Sequence, residues 1–129
     1  MHPTKEDIFA GSNELLCSEV PVPEWTAKRD ASATVFVREL VGDDADKAME
    51  ILSRRDENEL GAREMWVGMC ILCVCDENRV PLFDMADKEL LLSRPLAPLQ
   101  RCAVAAMELN GFGENAHEAR VGNSESDHT

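Results

Sequence analysis

Apolar residues dominate the segment from residue 62 to residue 83, AREMWVGMCILCVCDENRVPLF, in a pattern typical of a buried helix. One set recurs at three- and four-residue steps, which is the spacing of one helix face. This set comprises Met65, Trp66, Met69, Cys70 and Cys73. Other apolar residues occupy the opposite face, and flanking charges leave the segment too short to cross a bilayer. The pattern therefore predicts a central helix, covered on both sides by other elements, with Trp66 in the core.

The second half of this segment has two interpretations. Cys73, Val74 and Cys75 fit the continuation of the helix, and with the β-branched Val74 they could equally begin a strand. In the second interpretation the chain turns at residues 76–79 and returns along residues 80–83. The sequence leaves both interpretations open.

Two segments nearer the N-terminus predict a β-hairpin. Residues 19–25, EVPVPEW, alternate valine and proline. Because proline removes a donor from the hydrogen-bond ladder, this segment suits an edge strand or an extended arm. Residues 33–41, ATVFVRELV, are rich in β-branched residues and form the clearest strand pattern in the chain. A hairpin alone is only marginally stable, so we expect it to pack on helices.

Helical spacing describes most of the remaining chain. Asp43 is expected to cap a helix whose apolar face includes Leu52. Asp84 is expected to cap a short helix over residues 84–92. A longer helix follows, and Gly111 is its predicted end.

These elements predict an α+β fold, in which a small N-terminal β-hairpin packs on a bundle of about four helices. Residues 1–18 are expected to form an arm or a short helix, and residues 19–113 a single globular domain. Residues 114–129 are polar and acidic and have almost no large apolar side chains. They are predicted to form a disordered tail.

The charge of the chain limits its partners. The 129 residues carry a formal net charge of −12. Phosphate backbones and anionic membrane surfaces both require clustered lysine and arginine, so neither nucleic acid nor a membrane is an expected partner. The first residues lack the apolar stretch of a signal peptide, which suggests a reducing compartment and free thiols.

The cysteines offer a metal-site alternative. Cys70, Cys73 and Cys75 have a spacing that two-thiolate zinc sites use. Their neighbours are methionine, isoleucine, leucine and valine, whereas zinc knuckles lie in polar or glycine-rich turns. We therefore predict buried core cysteines, no metal and no cofactor. No catalytic residue set and no glycine-rich phosphate loop is visible, so an enzyme is not expected.

The run Leu90, Leu91 and Leu92 is the strongest indication of a binding surface. Successive helical residues are about 100° apart, so three leucines cover about 200° of a helix. A short helix packed on one side should leave one of them poorly covered, and Phe83 would extend the same patch. These four residues and Trp66 are the predicted partner-binding residues. The alternative is a helix wedged between two neighbours, with all three leucines in the core.

The order of several motifs resembles that of the tail assembly chaperones of long-tailed bacteriophages. They are KEDIFA, EVPVPEW, TVFVREL before Gly-Asp-Asp, MCILCVCDENRVPLF, and a final helix ending in Leu109, Asn110 and Gly111. The match runs from about residue 5 to residue 112. It departs from the family at Asn78 and Arg79, where Asp-Gly or a similar turn is usual, and the cysteines are not part of the pattern.

The resemblance implies a non-enzymatic role in the host cell cytoplasm. Proteins of this family are thought to coat the apolar helical segments of the tape measure protein while the tail tube polymerises, and to be absent from the finished virion. The tail tube protein is a second candidate partner, and self-association is left open. The alternative function is a structural tail-completion or head–tail joining protein, which would remain in the virion.

Overall fold

The computed structural model describes residues 1–10 and 15–112. Within these ranges the chain forms five α-helices and three β-strands. The helices are α1 (Lys5–Ala10), α2 (Gly42–Asp56), α3 (Ala62–Cys73), α4 (Lys88–Leu92) and α5 (Leu96–Leu109). The strands are β1 (Cys17–Pro21), β2 (Thr34–Arg38) and β3 (Val74–Cys75), and short 3-10 helices cover Pro23–Trp25 and Met85–Asp87.

The predicted hairpin is present and forms part of a three-stranded antiparallel sheet in the order β1-β2-β3. Its register runs from Cys17 opposite Arg38 to Pro21 opposite Thr34. Pro21 has no backbone N–H, and β1 is accordingly an outer strand of the sheet. The predicted α+β class is confirmed. The third strand, β3, extends the predicted hairpin.

This third strand decides between the two interpretations of the central segment. Helix α3 ends at Cys73, and Val74 and Cys75 then pair with β2. The Asp76 carboxylate accepts hydrogen bonds from Asn78 N and Val80 N, at 2.7 and 3.1 Å, and so builds the turn. The chain returns alongside β3, where Leu82 N donates to Val74 O at 3.1 Å. The first half of the segment is therefore helix, and the second half is strand and turn.

Helix α3 lies at the centre of the domain, as its all-round apolar pattern predicted. It contacts α2, α4, α5 and the sheet. Val67, Met69 and Cys70 are fully buried, whereas Trp66 is half-buried against the edge of the core. Gly68 allows close packing of α2, because a Cβ there would lie 3.0 Å from Ile51 Cδ1.

The helix ends follow the predicted capping in part. Asp84 and Asp87 form a reciprocal capping box at the start of the short 3-10 helix, and Gly111 follows α5 with a φ of +82°. The predicted cap at Asp43 is wrong. Helix α2 begins at Gly42 after extended Val41, without a side-chain cap, and Asp43 lies in its first turn.

The predicted tail, residues 114–129, lies outside the described residues. Within the described part of the chain, no helix combines the length and the apolar character needed to span a membrane.

Candidate interaction surface

Four large apolar side chains are exposed between residue 80 and residue 90, three on the segment that joins β3 to α4 and one on α4 itself. Val80 is 55% exposed, Leu82 46%, Met85 69% and Leu90 62%. We call these four residues the 80–90 surface. Four exposed large apolar residues within eleven positions of a chain with a strong net charge mark a candidate interaction site.

The backbone of this segment is fixed at several points. Pro81 forms an isolated antiparallel bridge with Cys75, next to the hydrogen bond of Leu82 with β3. The capping box of Asp84 and Asp87 then starts the 3-10 helix that leads into α4. The exposed side chains are therefore presented from a hydrogen-bonded framework, which lowers the conformational entropy lost on binding.

The three leucines of α4 have different environments. Leu91 is buried in the core at 4% exposure, Leu92 is half-buried, and Leu90 points to solvent. This is the arrangement expected for a short helix packed on one side. The role of these leucines in binding a partner stays a prediction, and so does that of Trp66, which is half-buried on α3.

Phe83 is half-buried and packs on Trp25 rather than extending freely into solvent. The two rings meet edge to face, with centroids 5.8 Å apart and planes at 88°. Such pairs contribute about 0.5–1.5 kcal/mol beyond their buried area. The aromatic pair therefore connects the 80–90 surface to the 3-10 helix Pro23–Trp25, a link that sequence reasoning missed.

An ion pair holds Trp25 in place through its neighbour Glu24. The Arg101 guanidinium donates to both Glu24 carboxylate oxygens, at 3.2 and 2.9 Å, and to Pro21 O at 2.6 Å. This hydrogen bonding is the main reason that the pKa of Glu24 is lowered to about 2. Arg101 thereby ties the 3-10 helix to α5.

The electrostatic surroundings of the 80–90 surface are acidic. Along residues 76–90 the acidic side chains outnumber the basic ones. The Arg79 side chain donates to Leu15 O at 2.8 Å. The excess of acidic side chains favours solubility and disfavours the binding of polyanions near the surface.

The cysteines with metal-like spacing are buried and protonated. Hydrogen bonding with Cys102 and burial raise the pKa of Cys70 well above its usual range. Burial raises the pKa of Cys73 to about 12, and burial together with the nearby Cys17 raises the pKa of Cys75 to about 11. Protonated thiols are poor metal ligands and poor nucleophiles. Across residues 1–10 and 15–112 there is no group of three or more potential ligands placed to hold a metal.

Sequence reasoning also missed Met85, Val80 and Leu82. A signal for two of them was present, because the predicted return strand alternates and places Val80 and Leu82 on the same face. Met85 gave no such signal, since methionine both fills gaps in cores and occurs at binding surfaces.

Comparison with known proteins gave a match at the level of structure. No protein-family model and no curated protein matches the sequence. The chain is similar in structure to the bacteriophage HK97 tail assembly chaperone, with a TM-score of 0.51 and 22% sequence identity. The match covers 74% of this chain and 81% of that one. The chain therefore shares the fold of a tail assembly chaperone, in agreement with the resemblance found in its sequence motifs.

Proposed function

We propose that this chain is a bacteriophage tail assembly chaperone, which binds apolar helical segments of the tape measure protein and keeps that protein soluble while the tail tube assembles. The observation that carries the proposal is the shared fold, found independently of the motif order in the sequence. The proposed role is non-enzymatic and belongs to the host cell cytoplasm.

The 80–90 surface supplies a physical basis for this role. A long protein with apolar helical stretches aggregates unless those stretches are covered. An apolar surface on a fixed framework can bind one face of such a helix. The net charge of −12 would then keep the complex in solution.

The same features limit the chemistry of the proposed partner. Apolar contact requires an apolar helix, and the acidic surroundings disfavour nucleic acid and anionic lipid. We therefore propose the tape measure protein as the main partner, with the tail tube protein as a second candidate.

Co-expression tests the proposal directly. The tape measure protein of the same phage should be largely insoluble alone and should co-purify with this chain when the two are expressed together. Because the contacts are apolar, the complex should persist from about 0.1 M to about 1 M salt. A tape measure protein that stays insoluble beside an excess of this chain would refute the proposed function.

A second measurement separates a chaperone from a structural tail-completion or head–tail joining protein. Mass spectrometry of infected-cell lysate should detect the chain, and mass spectrometry of purified virions should not. Stoichiometric recovery from virions would favour the structural role.

A further inference from the structure

Carboxylate side chains are interspersed among the exposed apolar residues of the 80–90 surface. The Asp76 carboxylate accepts a hydrogen bond from Val80 N at 3.1 Å. Two further acidic residues directly precede exposed apolar ones, in the exposed pairs Asp84–Met85 and Glu89–Leu90. A partner that covers the apolar side chains therefore also comes close to carboxylates.

These carboxylates form no ion pair within the part of the chain that the structure describes. Residues 76–90 contain five acidic and two basic side chains. Of the two basic ones, Arg79 donates to Leu15 O at 2.8 Å, and Lys88 has no ion-pair partner among the described residues. The five acidic residues are Asp76, Glu77, Asp84, Asp87 and Glu89. The 80–90 surface therefore lies in a stretch of uncompensated negative charge.

This charge restricts which helix can cover the surface. Taking a carboxylate out of water costs free energy unless an opposite charge replaces the water. An apolar helix without charges would impose this cost on the neighbouring carboxylates and offset none of it. Lysine and arginine solve both problems, because their apolar stems pack along apolar surface while their charged ends bond to carboxylates.

We propose that the 80–90 surface binds those apolar helical segments whose apolar stripe is flanked by lysine or arginine, and that the carboxylates around it select them. This inference rests on the proposed function. Complementary charge mainly speeds the encounter of two proteins and rejects like-charged partners. The apolar contacts then hold the complex together, so the complex persists at high salt although it forms more slowly there.

The test removes charge at the surface without touching its framework. Glu77 and Glu89 are exposed, and neither builds the 76–80 turn or the capping box, so both can be changed to glutamine in one full-length chain. The matched control changes Glu57 and Glu59 to glutamine. These two residues are also exposed and lie between α2 and α3, at the other end of α3 from β3. Both double variants have the same net charge and should keep the wild-type melting temperature.

The measurement is the rate of association with a tape measure segment of the same phage, the one that limited proteolysis leaves bound to this chain. At about 0.05 M salt the Glu77→Gln, Glu89→Gln chain should associate roughly three- to tenfold more slowly than the control, with a similar dissociation rate. The difference should vanish near 1 M salt, where charges are screened within about 3 Å. If the two double variants associate equally fast at low salt, the inference is wrong and the proposed function stands.

The bound segment itself gives an independent answer. Its sequence, identified by mass spectrometry, should show lysine or arginine beside the apolar stripe. Changing these residues to glutamate in a synthetic peptide should weaken binding at least about tenfold, because like charges then face each other. A bound segment without basic flanks, or unchanged affinity of the glutamate peptide, would overturn the inference alone. A wild-type chain that binds no tape measure segment would overturn the proposed function as well.

Discussion

The side-chain amide of Asn110 links the end of α5 to the end of β2 through Leu40. Its oxygen accepts a hydrogen bond from Leu40 N at 2.7 Å, and its nitrogen donates to Arg38 O at 3.2 Å and to Ala106 O at 2.9 Å. Asn110 also ends α5, just before Gly111. One residue therefore terminates a helix and fixes it to the sheet, which gives a physical reason for the Leu-Asn-Gly motif.

Asn110→Ala should destabilise the protein. The change leaves the N–H of Leu40 and the carbonyl of Arg38 without their partner in a half-buried site, so the free energy of unfolding should fall by about 1–3 kcal/mol. Urea denaturation measures this loss. The control is Glu108→Ala on the exposed side of the same helix, which should change stability by less than about 0.5 kcal/mol. Equal stabilities of the two variants would contradict the proposed link.

The hairpin and the helices could be predicted because their signals are local. Valine and proline alternate over residues 19–25, which overlap the end of β1, β-branched residues are frequent in β2, and helical spacing marks α3 and α5. The third strand needed more than local pattern, since Val74 and Cys75 fit helix and strand equally well. The pairing of these two residues with β2 decides their conformation, and that pairing is a long-range contact.

The candidate site, too, could be predicted only where its signal is local. Helix geometry alone indicated that one leucine of α4 would be poorly covered, and Leu90 is that residue. The exposure of Met85 and the packing of Phe83 on Trp25 depend on how distant elements meet. No local pattern encodes such contacts, so periodicity could not find them.

The buried cysteines should behave as packing residues. Cys70 Sγ lies 3.5 Å from Leu99 O, and Cys73 is fully buried. Changing both to alanine should lower stability by about 1–2 kcal/mol, as small core truncations do, while partner binding persists. Chemical denaturation and co-purification check the two parts. Stoichiometric zinc in protein purified without added metal, or unfolding by a chelator, would show that the prediction is wrong.

Thiol labelling tests the same environment without mutation. Iodoacetamide at pH 8 should modify half-buried Cys17 before the four buried cysteines. High pKa values and burial protect Cys70, Cys73 and Cys75 until the chain unfolds. Mass spectrometry of the labelled peptides reports the order. Early modification of Cys73 would contradict its burial.

The Glu24–Arg101 pair should make stability depend on pH in an acidic window. The pKa of Glu24 is lowered from near 4.5 to about 2, mainly by hydrogen bonding to Arg101. A lowered pKa means that the pair stabilises the fold fully above about pH 4.5 and loses this contribution as the pH falls towards 2. Glu24→Gln should therefore lose less stability than the wild type between pH 4.5 and 2. Denaturation curves of both proteins at pH 4.5 and at pH 2 measure this difference. If the two proteins lose the same stability, the Glu24–Arg101 pair is not the cause of the pH dependence.

Because Leu90 and Leu91 differ in exposure, changing each of them distinguishes an effect on binding from an effect on folding. Leu90 is 62% exposed and Leu91 is 4% exposed, although the two residues are adjacent on α4. A polar side chain at Leu90 meets water, so Leu90→Gln should change the free energy of unfolding by less than about 0.5 kcal/mol. At Leu91 the same change buries an amide in the core, and a loss of about 2–4 kcal/mol is expected.

Co-purification with the tape measure protein then decides whether the 80–90 surface binds it. Leu90→Gln should keep the wild-type melting curve and retain less partner, because it removes apolar area from the contact. The matched control is Leu96→Gln, at a leucine of similar exposure at the start of α5, which should retain the partner fully. If Leu90→Gln binds as well as this control, the binding face lies elsewhere, and the next residue to change is Trp66 on α3.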